Sequence, residues 1–223
     1  MKKHIIFNGI FLIFIVTIPG SMFSQSADDY FSKGTSELNN KNYNAAIIDF
    51  TDCIGLQPDY TDAYYKRGHA YSYLGQYGNA VADFNKAIEL KPDYEDAYYK
   101  RAETFTILQD TDAALSDYSK LISFKPLSVD AYFQRGDIYF DKKQYENALA
   151  DYTKAIEIAP GFADAYYKRG ETYETYNSND ELIKAVNDWK KASDLNLVYS
   201  DMLKDKIHTA ESKINEFKLK NPK

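Results

Sequence analysis

Cysteine is all but missing. Cys53 is the only one in 223 residues. One thiol cannot close an internal disulfide, so an oxidising compartment would add nothing to this fold. Histidine is nearly as scarce, with only His4, His69 and His208. No two of them stand at metal-ligand spacing. No glycine-rich phosphate loop follows a strand, and no stretch reads as a strand. No nucleophile stands beside a base, and the many carboxylates are spread out as they are on solvated helix faces. These gaps leave no cofactor, no metal and no small-molecule substrate to name. An enzyme or metal site built around His69 and its neighbouring acids is the weakest reading. Excess positive charge is absent too: the formal net charge is −6, or −8 without Lys2 and Lys3. Nucleic acid wants a basic surface, so it is disfavoured as a partner. A mildly acidic surface names no partner by itself.

Long apolar runs are also lacking. Ile5 to Ile18 is a mostly apolar stretch of 14 residues interrupted by Asn8, short of the ~18 or more that a spanning helix wants. It follows Met1-Lys2-Lys3, is closed by Pro19-Gly20, and leads to small residues at Ser24-Gln25-Ser26. This pattern reads as a bacterial export signal over residues 1–24, cleaved after Ser24, which directs the chain to the periplasm or cell envelope. The alternative is an uncleaved leader anchored in the inner membrane, the one membrane contact the chain would make. No cysteine ends the leader, which argues against lipid modification there.

What is present is a ruler. Pro58, Pro92, Pro126 and Pro160 recur every 34 residues. The stretches between them repeat as well: TDAYYKRGHAY from Thr61, EDAYYKRAETF from Glu95, VDAYFQRGDIY from Val129 and ADAYYKRGETY from Ala163. A fixed period of this length marks stacked supersecondary units. Tyr64, Gly68 and Tyr71 share one face of a first helix, and Ala80, Phe84, Ala87 and Leu90 one face of a second. Leu74-Gly75-Gln76 supplies the turn between them, and Pro92 follows the end of the second helix. Small residues form columns: Gly34, Gly68, Ala102, Gly136 and Gly170 on first helices, and Ala46, Ala80, Ala114, Ala148 and Ala185 on second helices. Small residues permit close helix approach. The 21 tyrosines suit an array whose units press large amphipathic rings on their neighbours. Cys53 falls in the column of Ala87 and Ala155, as a small buried residue.

This pattern resembles the tetratricopeptide repeat family over about residues 27–196. The resemblance implies an all-α solenoid of helical hairpins, a right-handed superhelix of about five repeats: 27–60, 61–94, 95–128, 129–162 and 163–197 within an array of 25–198. The first unit is degenerate, with Glu37 where a tyrosine is usual. The fifth carries three extra residues around Asn177-Ser178-Asn179-Asp180. Beyond it, over 199–223, Leu203, Ile207, Ala210, Ile214 and Phe217 make one apolar stripe on an amphipathic helix. That helix reads as the end cap a repeat array requires. A coiled coil is the alternative, but the stripe spans barely two heptads.

In the family, a groove lined by first helices holds an extended peptide. Carried over, that groove consists of Asp62, Tyr65 and His69; Asp96, Tyr99 and Glu103; Asp130, Phe133 and Asp137; and Asp164, Tyr167 and Glu171. It is a stripe of rings flanked by acids, which would favour a peptide or protein partner with Lys or Arg. The same residues have a plainer use, the acids at helix N-termini and the rings in packing. One family subgroup clamps C-terminal carboxylates with Lys, Asn and Arg, but these columns do not match it. The functional reading is an exported, non-catalytic protein-binding scaffold. The alternatives are an envelope or secretion subunit docked through the convex face, and a chain that self-associates through its ends.

Overall fold

The computed structural model describes residues 25–176 and 178–221. The leader over 1–24 and its cleavage site lie outside the described residues. Within them the chain is eleven helices: α1 Ala27–Asn39, α2 Tyr43–Leu56, α3 Thr61–Tyr73, α4 Tyr77–Leu90, α5 Glu95–Ile107, α6 Thr111–Phe124, α7 Val129–Asp141, α8 Tyr145–Ile158, α9 Ala163–Glu174, α10 Asn179–Leu195 and α11 Leu197–Lys220. Odd and even helices pair as hairpins from α1·α2 to α9·α10, and each second helix also packs on the next first helix. Successive first helices touch at α1–α3, α3–α5 and α7–α9; successive second helices do not come as close among the described residues. First helices therefore lie on the inner side of the curve. No helix among the described residues is long and apolar enough to cross a membrane.

The small-residue columns work by admitting rings. A Cβ added at Gly68 would stand 2.8 Å from Cε1 of Phe84, and one at Gly136 2.8 Å from Cε1 of Tyr152. Phe50, Phe84, Tyr118, Tyr152 and Trp189 are thus laid against the preceding helix and fully buried. The turns after α1, α3, α5 and α7 each need a left-handed residue. Gly75 supplies it in the second repeat, but Lys41, Gln109 and Lys143 take φ of 62°, 60° and 58° at the equivalent positions. Cys53 is buried, and burial pushes its thiol up to about 11, the setting of an inert packing residue.

A second column, unread in the sequence, ties the repeats together. Arg67, Arg101, Arg135 and Arg169 each grip a buried aspartate of the same hairpin through two nitrogens: Asp83, Asp117, Asp151 and Asp188, at 2.7–2.8 Å. A third nitrogen reaches back to the preceding repeat, to Thr51, Asn85, Ser119 and Thr153 respectively. Each guanidinium also lies 5.4–5.7 Å from the ring centre of Tyr64, Tyr98, Tyr132 or Tyr166. One side chain thus joins three helices in a forked geometry that lysine cannot copy. The three extra residues of the fifth repeat lengthen its second helix, 17 residues in α10 against 14 in α2, α4, α6 and α8, and the Arg169–Asp188 pair survives at a separation of 19 residues instead of 16.

Helix α11 caps the array. Leu203, Ala210 and Ile214 are buried against α10 and Ile207 is half-buried. Phe217 does not join them and stays 46% exposed, because α11 outruns the shorter α10. The outer surface is also less polar than expected, with Leu197, Val198, Met202 and Leu219 exposed.

Candidate peptide-binding face

The inner face is built from residues 2, 5, 6 and 9 of each first helix, which a pitch of 3.6 places on one side. The ring column is half-buried throughout. Tyr65 lies 5.0 Å from Tyr94 and 6.1 Å from Phe84 between ring centres. Tyr99 meets Tyr118 edge-on at 6.0 Å. Phe133 sits 5.8 Å from Tyr152 and 5.0 Å from Phe162, and Tyr167 stacks on Tyr199 at 4.9 Å. Each ring is packed on a neighbouring ring, and Lys100 stands 5.6 Å from the ring centre of Tyr99. Phe31, stacked on Tyr60 at 4.8 Å, is the first repeat's member of the column. Its position 34 residues before Tyr65 was the signal for it, hidden by the degeneracy of that unit.

The acids divide. Asp62 accepts a hydrogen bond from the Tyr94 hydroxyl at 2.7 Å, and Asp164 one from Tyr199 at 2.8 Å. Asp28, also missed, accepts one from Tyr60 at 3.0 Å. Tyr60 and Tyr94 reach back to the acid from just before the next first helix, and Tyr199 does so from the first turn of α11. The other acid column is neutralised by lysines, Lys100 and Lys168 that follow the rings and Lys206 of α11. Glu103 pairs with Lys100 at 2.8 Å. Asp137 accepts from the Tyr152 hydroxyl at 2.6 Å and lies 3.4 Å from Lys168; burial nonetheless raises its pKa. Glu171 pairs at 2.6 Å with Lys206 of α11. The face is therefore mixed in charge, where the acids alone had suggested a negative stripe.

His69 lies 6.1 Å from Tyr65 and 4.8 Å from Tyr73 between ring centres. Burial lowers its pKa, helped by Lys100 and Lys66 and opposed by Glu103. The unfolded chain, with an ordinary value near ~6.5, then binds the proton more readily than the folded one, so stability falls as pH drops through that value toward the lowered one. Urea midpoints of the wild type should decline between about pH 7.5 and 5.5. His69→Gln should flatten that part of the profile. Parallel profiles would show that His69 contributes nothing to it.

One junction departs from the pattern. Between α5 and α7 the residue before the first helix is Ser128, not tyrosine, and Gln134 stands where Lys66, Lys100 and Lys168 stand elsewhere. Phe162 likewise has no hydroxyl to offer Asp130. Neither Asp96 nor Asp130 makes a hydrogen bond or ion pair among the described residues, and both are exposed. They face each other across a concavity of about 170 Å³ lined also by Glu95, Tyr99, Leu121 and Lys125. Lys125 lies 3.6 Å from Glu95, not from either aspartate.

Models of the tetratricopeptide repeat match residues 30–60, 61–94 and 95–126, and a TPR-repeat model matches 136–177, together more than half of the chain. The chain is built of tetratricopeptide repeats. Solved structures of the family superpose on most of it. MamA protein does so with a TM-score of 0.70 at 25% identity, over 76% of this chain and 91% of that one. MamA from Desulfovibrio magneticus RS-1 gives 0.70 at 21% identity, over 76% and 94%. YrrB, described as a TPR protein with an unusual peptide-binding site, gives 0.69 at 22% identity, over 81% and 92%. The last two likenesses show the fold alone. A comparison with curated protein sequences finds no match. Tetratricopeptide arrays are typically protein-interaction scaffolds, and the fold of this chain is theirs.

Proposed function

We propose that this tetratricopeptide array is a non-catalytic scaffold of the bacterial envelope, to which residues 1–24 would direct it. It holds an extended segment of a partner protein along its first helices. A Lys or Arg of that segment sits between Asp96 and Asp130, beside the ring of Tyr99. The observation that carries this reading is the α5–α7 junction: every other acid of the two columns has an internal partner, and these two have none. Two unpaired carboxylates beside a half-buried ring attract a cation through charge, and the ring offers its side chain an apolar wall. That YrrB, with the same fold, is described as having a peptide-binding site agrees with a peptide partner. Docking through the convex side would want a broad apolar patch there. The second helices instead expose scattered residues, among them Ile48, Leu56 and Ile183.

Tyr99 and Phe133 are poor probes, since each also packs on a neighbouring ring. The carboxylates are cleaner. With the partner segment as a labelled peptide, Asp96→Asn/Asp130→Asn should weaken binding about 10-fold at low salt, equal to about 1.4 kcal/mol. The gap should close at high salt, with helix content unchanged. Equal binding by the wild type and the double variant at low salt would move the basic residue's seat elsewhere.

A further inference from the structure

We propose that the α3–α5 junction forms a second subsite of the same face, one that takes an aliphatic side chain. Recognition would then require a basic and an aliphatic residue at a set spacing. This rests on the peptide-binding reading above and adds a motif to it. The junction holds a concavity of about 200 Å³, walled by His69, Tyr73, Thr104 and Ile107, with Lys100 and Glu103 at its rim. Tyr73 and Ile107 are 58% and 57% exposed, large apolar groups left open to water on the inner face. Covering such surface is worth about 25 cal/mol per Å². The wall is already fixed. Tyr73 is stacked on Tyr43 at 4.6 Å and held against His69 at 4.8 Å, so little order remains to be imposed on binding. The rim adds no net charge, because Lys100 and Glu103 close on each other at 2.8 Å. Burial favours the neutral form of His69. An uncharged side chain therefore suits this pocket, as a cation suits the next.

Helix α5 is the shared wall. Glu95, Asp96 and Tyr99 line the acidic notch, and Lys100, Glu103, Thr104 and Ile107 line the apolar one on the opposite flank. Their centres are some six or seven residues apart along the helix, about 10 Å at 1.5 Å per residue, and separated across it by a helix width of about 10 Å. The diagonal is about 14 Å, roughly four residues of extended chain. Residues i and i+4 of an extended segment also point to the same side, so one peptide can fill both pockets without twisting.

The test is selection of a phage-displayed random dodecapeptide library on the folded chain from residue 25 onward. The wild type should enrich peptides carrying Lys or Arg and Leu, Ile, Val or Met three to five positions apart. Ile107→Asp, a change at an exposed site, should keep the basic residue and lose the aliphatic one. Tyr73→Ser should do the same. Asp96→Asn/Asp130→Asn should keep the aliphatic residue and lose the basic one. Basic peptides with no aliphatic preference, or the same preference from Ile107→Asp, would overturn the second subsite while leaving the groove in place. No enrichment by any version would overturn the groove and the motif together.

Discussion

Replacing Arg101 with leucine should destabilise the array by about 3–5 kcal/mol, the usual result of stripping one partner from a buried ion pair. Asp117 is 4% exposed, and its two oxygens would lose both guanidinium contacts at 2.7 Å. The link to Asn85 in the preceding repeat would go as well. For a chain of this size that is a fall of roughly 6–20 °C in Tm, measured by circular dichroism. Two comparisons give the result its meaning. Lys33 occupies the same column in the first repeat and holds Asp49 at 2.6 Å, but it is 57% exposed. Asp49 is itself 2% exposed, so Lys33→Met also leaves a buried carboxylate unpaired; it breaks one contact where Arg101→Leu breaks three, and none to a preceding repeat, so it should cost less. In the double variant Arg101→Leu/Asp117→Leu no charge is left buried, and much of the stability should return. If Arg101→Leu unfolds no earlier than Lys33→Met, the clamp is not what holds neighbouring repeats together.

Gly136→Leu should cost about 1–3 kcal/mol or somewhat more, through overpacking. The first carbon added already meets Tyr152 at 2.8 Å from Cε1 and 3.0 Å from Cδ1. Tyr152 cannot retreat easily. It is fully buried, and its hydroxyl donates to Asp137 at 2.6 Å. Gly136→Ala should be milder, since the third repeat carries Ala102 at this register. The contrasting site is Gly55, where an added Cβ meets nothing within 4 Å. There leucine should be neutral or stabilising by about 0.5–1 kcal/mol, from helix propensity alone. Denaturant midpoints for the two leucine variants settle the matter. Equal shifts at Gly55 and Gly136 would mean that the glycine column is not the close-contact column.

The hairpins and their order were legible because the repeat states them several times over. Four prolines, the small-residue columns and the rings facing them all repeat in one register, and each marks packing between helices adjacent in sequence. The Arg–Asp clamp was just as visible as letters, in the recurring arginines and in the aspartates sixteen residues on (nineteen in the fifth repeat), but periodicity alone cannot say that those two columns meet. The acids of the inner face misled for a related reason. In the sequence Asp62, Asp96, Asp130 and Asp164 are equivalent, and all four suit the start of a helix.

From the sequence alone came the all-α hairpin solenoid, its period and the face on which the rings lie, because these depend on contacts within a repeat and with its nearest neighbour. Only the tertiary structure decided which charges on that face are free. Tyr94 and Tyr199 reach back some thirty residues to Asp62 and Asp164, and Lys206 crosses from the cap to Glu171. Whether such reaches succeed depends on how each hairpin is offset against the one before it. That offset is set by every ring, glycine and guanidinium packed between them, and at the α5–α7 junction it leaves Asp96 and Asp130 without partners.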